Sequence, residues 1–407
     1  MTPKIDKIIC NLKKYNQSHI IKYLYNQQGD LNESLVTEIE RINWTIFDKE
    51  SLCNTDIVGI KPLPICTLSE ISQKYEEYKV CGLNKIKQGK LGLVLLAGGE
   101  GTRLGFKGPK GTLNVGVKKE LYLFELLIKQ ALKIVYESNS YIPFYIMTSP
   151  SNYKPTIDFF KEHNYFGYDS SCIHFFVQES NPVVDLDEKI LLQSPNHLVF
   201  SPNGNGGWFS TMYSSGLIES TLDSQIEWLN VFSVDNALQG IADPIFLGAT
   251  ILNNCNCGSK VVKKVHPNEK VGVICSKNEK PYIIEYYEWE TLIKSGITLD
   301  NSQFNYGVTL NYLFNVSDLV NTLSQRIPIH KVIKKVPYMD HKGEYIIPNK
   351  ENAYKFETLV LDLIHMMDSC LPFEIQREKE FAPIKNKNGK DSLDTARELL
   401  IKNGYAL

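Results

Sequence analysis

The segment Leu91-Gly92-Leu93-Val94-Leu95-Leu96, which runs into Ala97-Gly98-Gly99-Glu100-Gly101-Thr102-Arg103-Leu104-Gly105, constrains this chain more than any other. Six successive apolar residues leave no polar face for water, so the segment fits a strand buried on both sides, as in a parallel sheet covered by helices. Short apolar runs of the same style recur at 142–148, 173–177, 228–234 and 260–265. Between them lie stretches with helical spacing at 121–135, 155–162 and 208–222. Strands alternating with helices predict an α/β fold with a doubly wound, mostly parallel sheet of Rossmann-like architecture. Residues 271–274 and 282–287, separated by Asn278-Glu279-Lys280-Pro281, predict a hairpin, which makes the sheet mixed.

The first 50 residues have a different character. Ile8, Ile9 and Leu12, then Ile20, Ile21, Tyr23 and Leu24, then Leu35, Ile39 and Ile42 recur at helical spacing and predict two or three short amphipathic helices. Lys61-Pro62-Leu63-Pro64-Ile65 predicts an extended connector, with a further short helix near 68–78. The expected division is a helical N-terminal domain with its connector at 1–86 and a catalytic domain at 87–407. That agrees with two or three units for 407 residues at roughly 150 residues per domain.

Charge and cysteine content narrow the ligands. With 44 Lys+Arg against 46 Asp+Glu the formal charge is −2, so no global basic field attracts nucleic acid or an anionic membrane. An anionic ligand must be held by a local site. No apolar run approaches the ~18 residues of a membrane helix, and Met1-Thr2-Pro3-Lys4 opens no signal peptide, so a soluble cytoplasmic protein is expected. Nine scattered cysteines do not read as a disulfide framework, and Cys255-Asn256-Cys257 lacks the spacing of a zinc site.

The glycine loop follows the first buried strand, where open α/β sheets place their ligands. Gly98, Gly99 and Gly101 let the backbone adopt positive φ and approach a ligand closely, so that consecutive N–H groups can point at phosphate oxygens or a base edge. The spacing is neither that of the Walker loop nor that of the dinucleotide fingerprint. On the glycines alone, a tight strand-to-helix turn is an equally good account. Arg103 and Pro109-Lys110 tilt the balance toward a bound anion.

Leu-x-x-Gly-x-Gly-Thr-Arg-x-Gly followed by Pro109-Lys110-Gly111 resembles the signature of sugar-nucleotide pyrophosphorylases, in the version of the eukaryotic UDP-N-acetylglucosamine pyrophosphorylases. Pro143 to Ser149, Phe159 to Gly167, Phe175 to Gln178, Pro202 to Gly207, Val234-Asp235-Asn236, Val271-Gly272-Val273 and Phe381 to Asn386 resemble that family in the same order. The resemblance covers nearly the whole chain. It implies transfer of a uridylyl group from UTP to N-acetylglucosamine 1-phosphate, with N-acetylgalactosamine 1-phosphate as a second candidate. By the same resemblance Arg103 and Lys110 hold the triphosphate, Lys385 contacts the phosphate that stays with the sugar, and Asp235 holds Mg²⁺, with Mn²⁺ as an alternative. Gly98, Gly99, Gln178 and Gly204 match uracil-binding positions. Asn205, Gly272, Glu285 and Asn305 match the sugar site. From its neighbours alone, Glu285 reads as a solvated residue of a hairpin strand, alternating with Ile284 and Tyr286.

Departures from the family pattern concern the sugar first. Phe304-Asn305-Tyr306-Gly307-Val308 lacks a second amide, and Leu359 and Leu361 stand where the family tends to place phenylalanines. Asn203 replaces an Asp and Glu179 a Gly. The family's C-terminal β-rich domain is not expected, and with it no oligomer built through that domain, so a monomer is expected. The alternatives are a UDP-glucose or broad-specificity pyrophosphorylase, and a catalytically silent UDP-sugar-binding protein. A glycosyltransferase is disfavoured because Val234-Asp235-Asn236-Ala237 lacks an Asp-x-Asp pair.

Overall fold

The computed structural model describes residues 3–26, 28–52, 59–217, 226–267, 269–289 and 303–407. The chain divides into two compact units. One comprises Met1–Asn54, Glu179–Gly207 and Arg326–Val360; the other comprises Thr55–Gln178, Trp208–Gln325 and Leu361–Leu407. This differs from the single cut expected at residue 86. The reason lies in what the N-terminal helices bury.

In the first unit, α1 (Pro3–Lys14), a 3-10 turn (Ser18–Tyr23) and α2 (Glu33–Glu40) form where helical spacing predicts them. Their apolar stripe, including Ile5, Ile8, Leu12, Leu35 and Ile39, packs with Val184, Leu192, Ile329, Met339 and Phe356 from much later in the chain. A helix of eight to twelve residues is marginal alone and depends on such a partner. The partners lie on two small sheets. One pairs His330–Lys334 with Ala353–Glu357 and Val184–Asp185; the other contains Leu192–Ser194 and Tyr338–Met339. Buried Gln17 joins helix and sheet segments, its amide donating to the carbonyl of Glu188 and accepting from the N–H of Ile190, both at 2.8 Å.

The second unit holds the large sheet and helix α3 (Tyr75–Lys87). Besides the two-residue edge strand Ile60–Lys61, its strands are β1 (Leu91–Leu96), β2 (Phe144–Thr148), β3 (Ile173–Val177), β4 (Trp228–Ser233), β5 (Cys257–Lys263), β6 (Val273–Lys277), β7 (Lys280–Ile284), β8 (Tyr306–Asn315) and β9 (Cys370–Glu374). Every residue of β1 is buried, as its apolar run requires. The run β3-β2-β1-β4 is parallel, and β8 pairs antiparallel with β4. β5 pairs antiparallel with β8 and parallel with β9. The expected mixed α/β sheet is therefore present. The hairpin β6–β7 turns on Asn278 and Glu279 alone, both at positive φ (51° and 69°), while Lys280 and Pro281 already belong to β7. Two residues at positive φ match the right-handed twist of the flanking strands.

Helices α4 (Leu123–Ser138) and α5 (Tyr153–Glu162) connect the parallel strands, with Phe124 and Phe160 buried and their rings 4.9 Å apart. The helix expected at 208–222 is observed over Trp208–Ser214; residues 218–222 of that expectation lie outside the described residues. No helix among the described residues is long and apolar enough to cross a membrane.

Helix α6 (Pro244–Leu252) crosses α3 at two glycines. A Cβ on Gly82 would stand 1.9 Å from the carbonyl oxygen of Pro244, and one on Gly248 would stand 1.9 Å from that of Tyr78. Only hydrogen fits at either place, and backbone on both sides cannot move aside cheaply. Gly82→Ala is therefore expected to destabilise the protein by about 3 kcal/mol through overpacking. A thermal midpoint unchanged from the parent would contradict this contact.

Candidate active site

Strands β1 and β4 are neighbours and run parallel, with Ser233 opposite Leu96. The chain order β1, β2, β3 proceeds to one side of β1, whereas β4 lies on the other side. The crevice between β1 and β4 is thus the point at which strand order reverses, where open α/β sheets bind ligands. The glycine loop leaves β1 at that end, and Asp235 leaves β4 beside it. Gln178 follows β3 at the same edge, its N–H donating to the carbonyl of Thr148.

The loop is not the tight strand-to-helix turn that the glycines alone allowed. It passes through 3-10 turns at Thr102–Leu104 and Lys110–Thr112 before α4 begins. Of the two uses open to its glycines, positive φ is taken by Gly105 (73°) and Gly108 (125°) and not by Gly98, Gly99 or Gly101. Gly98 and Gly101 serve close approach instead. A Cβ on Gly98 would lie 2.8 Å from the Gln178 amide, and one on Gly101 would lie 2.7 Å from the Phe106 ring. A Cβ on Gly99 would meet nothing within 4 Å, so no protein contact accounts for that glycine.

Arg103, Lys110, Asp235 and Lys385 line one cleft of about 860 Å³ with Gly99. Lys110 Nζ stands 3.5 Å from Asp235 Oδ2, and the Ser233 hydroxyl donates to Asp235 Oδ1 at 2.5 Å. Burial alone would raise the Asp235 carboxyl. The charges of Lys110 and Lys385 and the Ser233 hydroxyl outweigh it and hold the carboxyl below its ordinary range. Burial lowers the Lys110 ammonium, and the positive charges of Lys385 and Arg103 add to this against the attraction of Asp235. Five cations (Arg103, Lys110, Lys270, Lys385 and Lys390) and four carboxylates (Glu100, Asp235, Glu269 and Asp391) line the cleft. Around Asp235 itself three cations gather, a local arrangement suited to a polyanion.

Lys385 arrives on an irregular strap that lies along the start of the Asp235 segment. The N–H of Ile384 donates to the carbonyl of Asp235 at 2.8 Å, and that of Lys385 donates to Asp391 at 2.7 Å. The cleft also contains His266, Lys270 and Tyr286, which the sequence did not single out. Its wall is stiffened by buried Glu269, which accepts from Arg377 at 2.7 Å and Lys390 at 3.1 Å. Burial would raise the Glu269 carboxyl; the Val265 N–H, Arg377 and Lys390 lower it.

The remaining expected residues are placed as follows. Gly272 is buried beside the cleft-lining Val271, and its carbonyl accepts from Val308 at 2.9 Å. Glu285 follows β7 rather than alternating within it; its N–H donates to Glu288 at 2.8 Å, and Tyr286 and Tyr287 start a helical turn. The carbonyl of half-buried Asn305 accepts from Lys264 at 2.7 Å. Gly204 and Asn205 belong to the other unit. There Gly204 has φ 85° and its Cβ would lie 2.3 Å from the Thr358 carbonyl, while the Asn205 side chain accepts from the N–H of Val360. Asn152 is an addition: its amide donates to the carbonyls of both Gly98 and Gly99, at 3.1 and 3.2 Å, and ties the loop to the end of β2.

Asp235, the carboxylate that faces Lys110, bears on a metal. No group of three or more His, Cys, Asp or Glu that could hold an ion occurs among the described residues. Mg²⁺ characteristically binds through one or two carboxylates plus substrate phosphates. Asp235 fits that role.

A switch-point crevice with a close-approach glycine loop and a cation-rich phosphate pocket defines a nucleotide-handling α/β transferase. The chain belongs to the UTP–glucose-1-phosphate uridylyltransferase family, whose model matches residues 46–402. The UDP-N-acetylhexosamine pyrophosphorylase-like protein 1 of Mus musculus is 33% identical over 424 residues, spanning 97% of this chain and 84% of its own. The UDP-N-acetylglucosamine pyrophosphorylase of Saccharomyces cerevisiae is 35% identical over 365 residues, spanning 85% and 76%. The crystal structure of the uridine diphosphate N-acetylglucosamine pyrophosphorylase from Trypanosoma brucei in complex with inhibitor shares the fold. Its TM-score is 0.80 at 24% identity, over 99% of this chain and 85% of that one.

Proposed function

We propose that this chain is a UTP:N-acetyl-α-D-glucosamine-1-phosphate uridylyltransferase. A phosphate oxygen of the sugar phosphate attacks the α-phosphorus of UTP in line, the bond to the β-phosphate oxygen breaks, and pyrophosphate leaves with the electron pair. The observation that carries the reading is Asp235 facing Lys110, with Arg103 and Lys385 lining the same cleft. Both reactants are anions, so catalysis consists largely of charge neutralisation and alignment. Arg103 and Lys110 neutralise the departing pyrophosphate. Lys385 neutralises the phosphate retained by the sugar. Asp235, together with the nucleotide's phosphates, would hold Mg²⁺, which would supply further neutralisation of the triphosphate. Gln178 and the backbone at Gly98 and Gly99 hold the uracil edge, and Asn152 sets the direction of those two carbonyls. Open space over Gly99 supports this assignment.

The reading is tested by pyrophosphate release with N-acetylglucosamine 1-phosphate, N-acetylgalactosamine 1-phosphate and glucose 1-phosphate in turn. N-acetylglucosamine 1-phosphate is expected to give the highest kcat/KM. A large preference for glucose 1-phosphate would transfer the assignment to a UDP-glucose enzyme. Binding of UDP-N-acetylglucosamine without Mg²⁺-dependent exchange of pyrophosphate into UTP would instead define a silent binding protein.

A further inference from the structure

We infer that Asn236 is a positioning residue, whose side-chain amide clamps the strap carrying Lys385 against the segment carrying Asp235. The inference rests on the role given to Lys385 above. The strap, residues 381–385, has no helix and only one bridging residue, so its path depends on individual bonds. That bridge pairs Pro383 with Asn236, and proline has no N–H to give to a ladder. The amide of Asn236, 1% exposed, makes up for the missing group from both of its ends. Its Nδ2 donates to the carbonyl of Glu380 at 2.8 Å, and its Oδ1 accepts from the N–H of Ala382 at 2.8 Å and of Leu238 at 3.3 Å. Main-chain bonds from Ala237 to Ala382 and from Ile384 to Asp235 complete the contact.

The near end of the strap is fixed as well. The Glu380 carboxylate accepts at 2.6 Å from Lys260, an ammonium 1% exposed that also donates to Asp243 at 2.8 Å. The strap thus leaves a pinned point, is gripped once by Asn236, and presents Lys385 two residues after the bridge. Asp235 is adjacent to Asn236 in the chain. One dipeptide therefore supplies the carboxylate of the cleft and sets the distance at which the opposing ammonium is held.

The test combines a double-mutant cycle with limited proteolysis. Asn236→Ser is expected to lower kcat about thirtyfold with KM for UTP within about threefold of the parent. Lys385→Ala is expected to lower kcat about a hundredfold. The double variant should be no slower than Lys385→Ala within about threefold, because the clamp has nothing left to position. Trypsin should cut after Lys385 or Lys387 at least tenfold faster in Asn236→Ser than in the parent. Multiplying losses together with an unchanged cleavage rate overturn the clamp. Faster cleavage with full activity in Lys385→Ala keeps the clamp and overturns the role of Lys385. Should Asn236→Ser fail to fold, the nearly isosteric Asn236→Asp is measured in its place, with the same outcomes.

Discussion

Replacing Asp235 by Asn is expected to lower turnover about a thousandfold while leaving UTP bound, because the metal-holding role proposed for Asp235 would put the loss on charge neutralisation worth several kcal/mol. Asn keeps the shape of the side chain and can still meet the Ser233 hydroxyl, which lies 2.5 Å from Oδ1. What it removes is the negative charge facing Lys110. Lys110, Lys385 and Arg103 are then left without that counter-charge in one cleft. In the absence of metal, UTP is therefore expected to bind the variant a fewfold more tightly than the parent, as calorimetry would show. Turnover and affinity thus move in opposite directions, which general unfolding cannot produce. Asp235→Asn retaining more than a tenth of the parental kcat would remove Asp235 from its assigned role.

Arg103→Ala is expected to lower kcat by about a thousandfold, with KM for UTP changing less than tenfold. The guanidinium is assigned to charge that builds up on the departing pyrophosphate, so its contribution is larger in the transition state than in the bound ground state. The backbone beneath it is firmly set. The turn Thr102–Leu104 closes on Gly105 at φ 73°, whose N–H donates to Thr102 at 3.0 Å. Loss of activity therefore follows from the missing side chain and not from a displaced loop. Arg103→Lys should recover only part of the rate, since an ammonium cannot bond two phosphate oxygens in the planar manner of a guanidinium. A rise in KM at unchanged kcat would show that Arg103 contributes uniform binding only.

Legibility in the sequence varied with the range of the interaction concerned. β1 is legible to the residue because burial on both faces leaves a continuous apolar run; β3 has its expected bounds although His174, Phe175 and Val177 are only half-buried. The hairpin was legible, but its turn was shorter than drawn, since positive φ at Asn278 and Glu279 brings the strands closer to each other. β8 is not legible in the sequence: its burial alternates along Tyr306–Asn311 before becoming continuous, and its start coincides with the segment that resembles the family's sugar-site motif. The spacing of α1 and α2 was visible, whereas the identity of their partners was not, because periodicity reports a face and not what covers it. Arg103, Lys110, Asp235 and Lys385 were found through the family resemblance and then stood in one cleft. Asn152 and Asn236 were not legible as contacts. Asn152 works through two backbone carbonyls and Asn236 through one carbonyl and two N–H groups, and nothing local to the sequence names backbone groups brought within reach by folding.

The discontinuous first unit also sets a timetable for synthesis. Ile5, Ile8 and Leu12 leave the ribosome early, yet Ile329, Met339 and Phe356, which pack in the same core, follow hundreds of residues later. At about 5–20 residues per second the delay is on the order of tens of seconds. Throughout that interval the apolar stripes of α1 and α2 lack part of their final cover, while a helix so short gains little stability of its own. Part of the nascent chain's earliest apolar surface thus waits on some of its latest segments for cover.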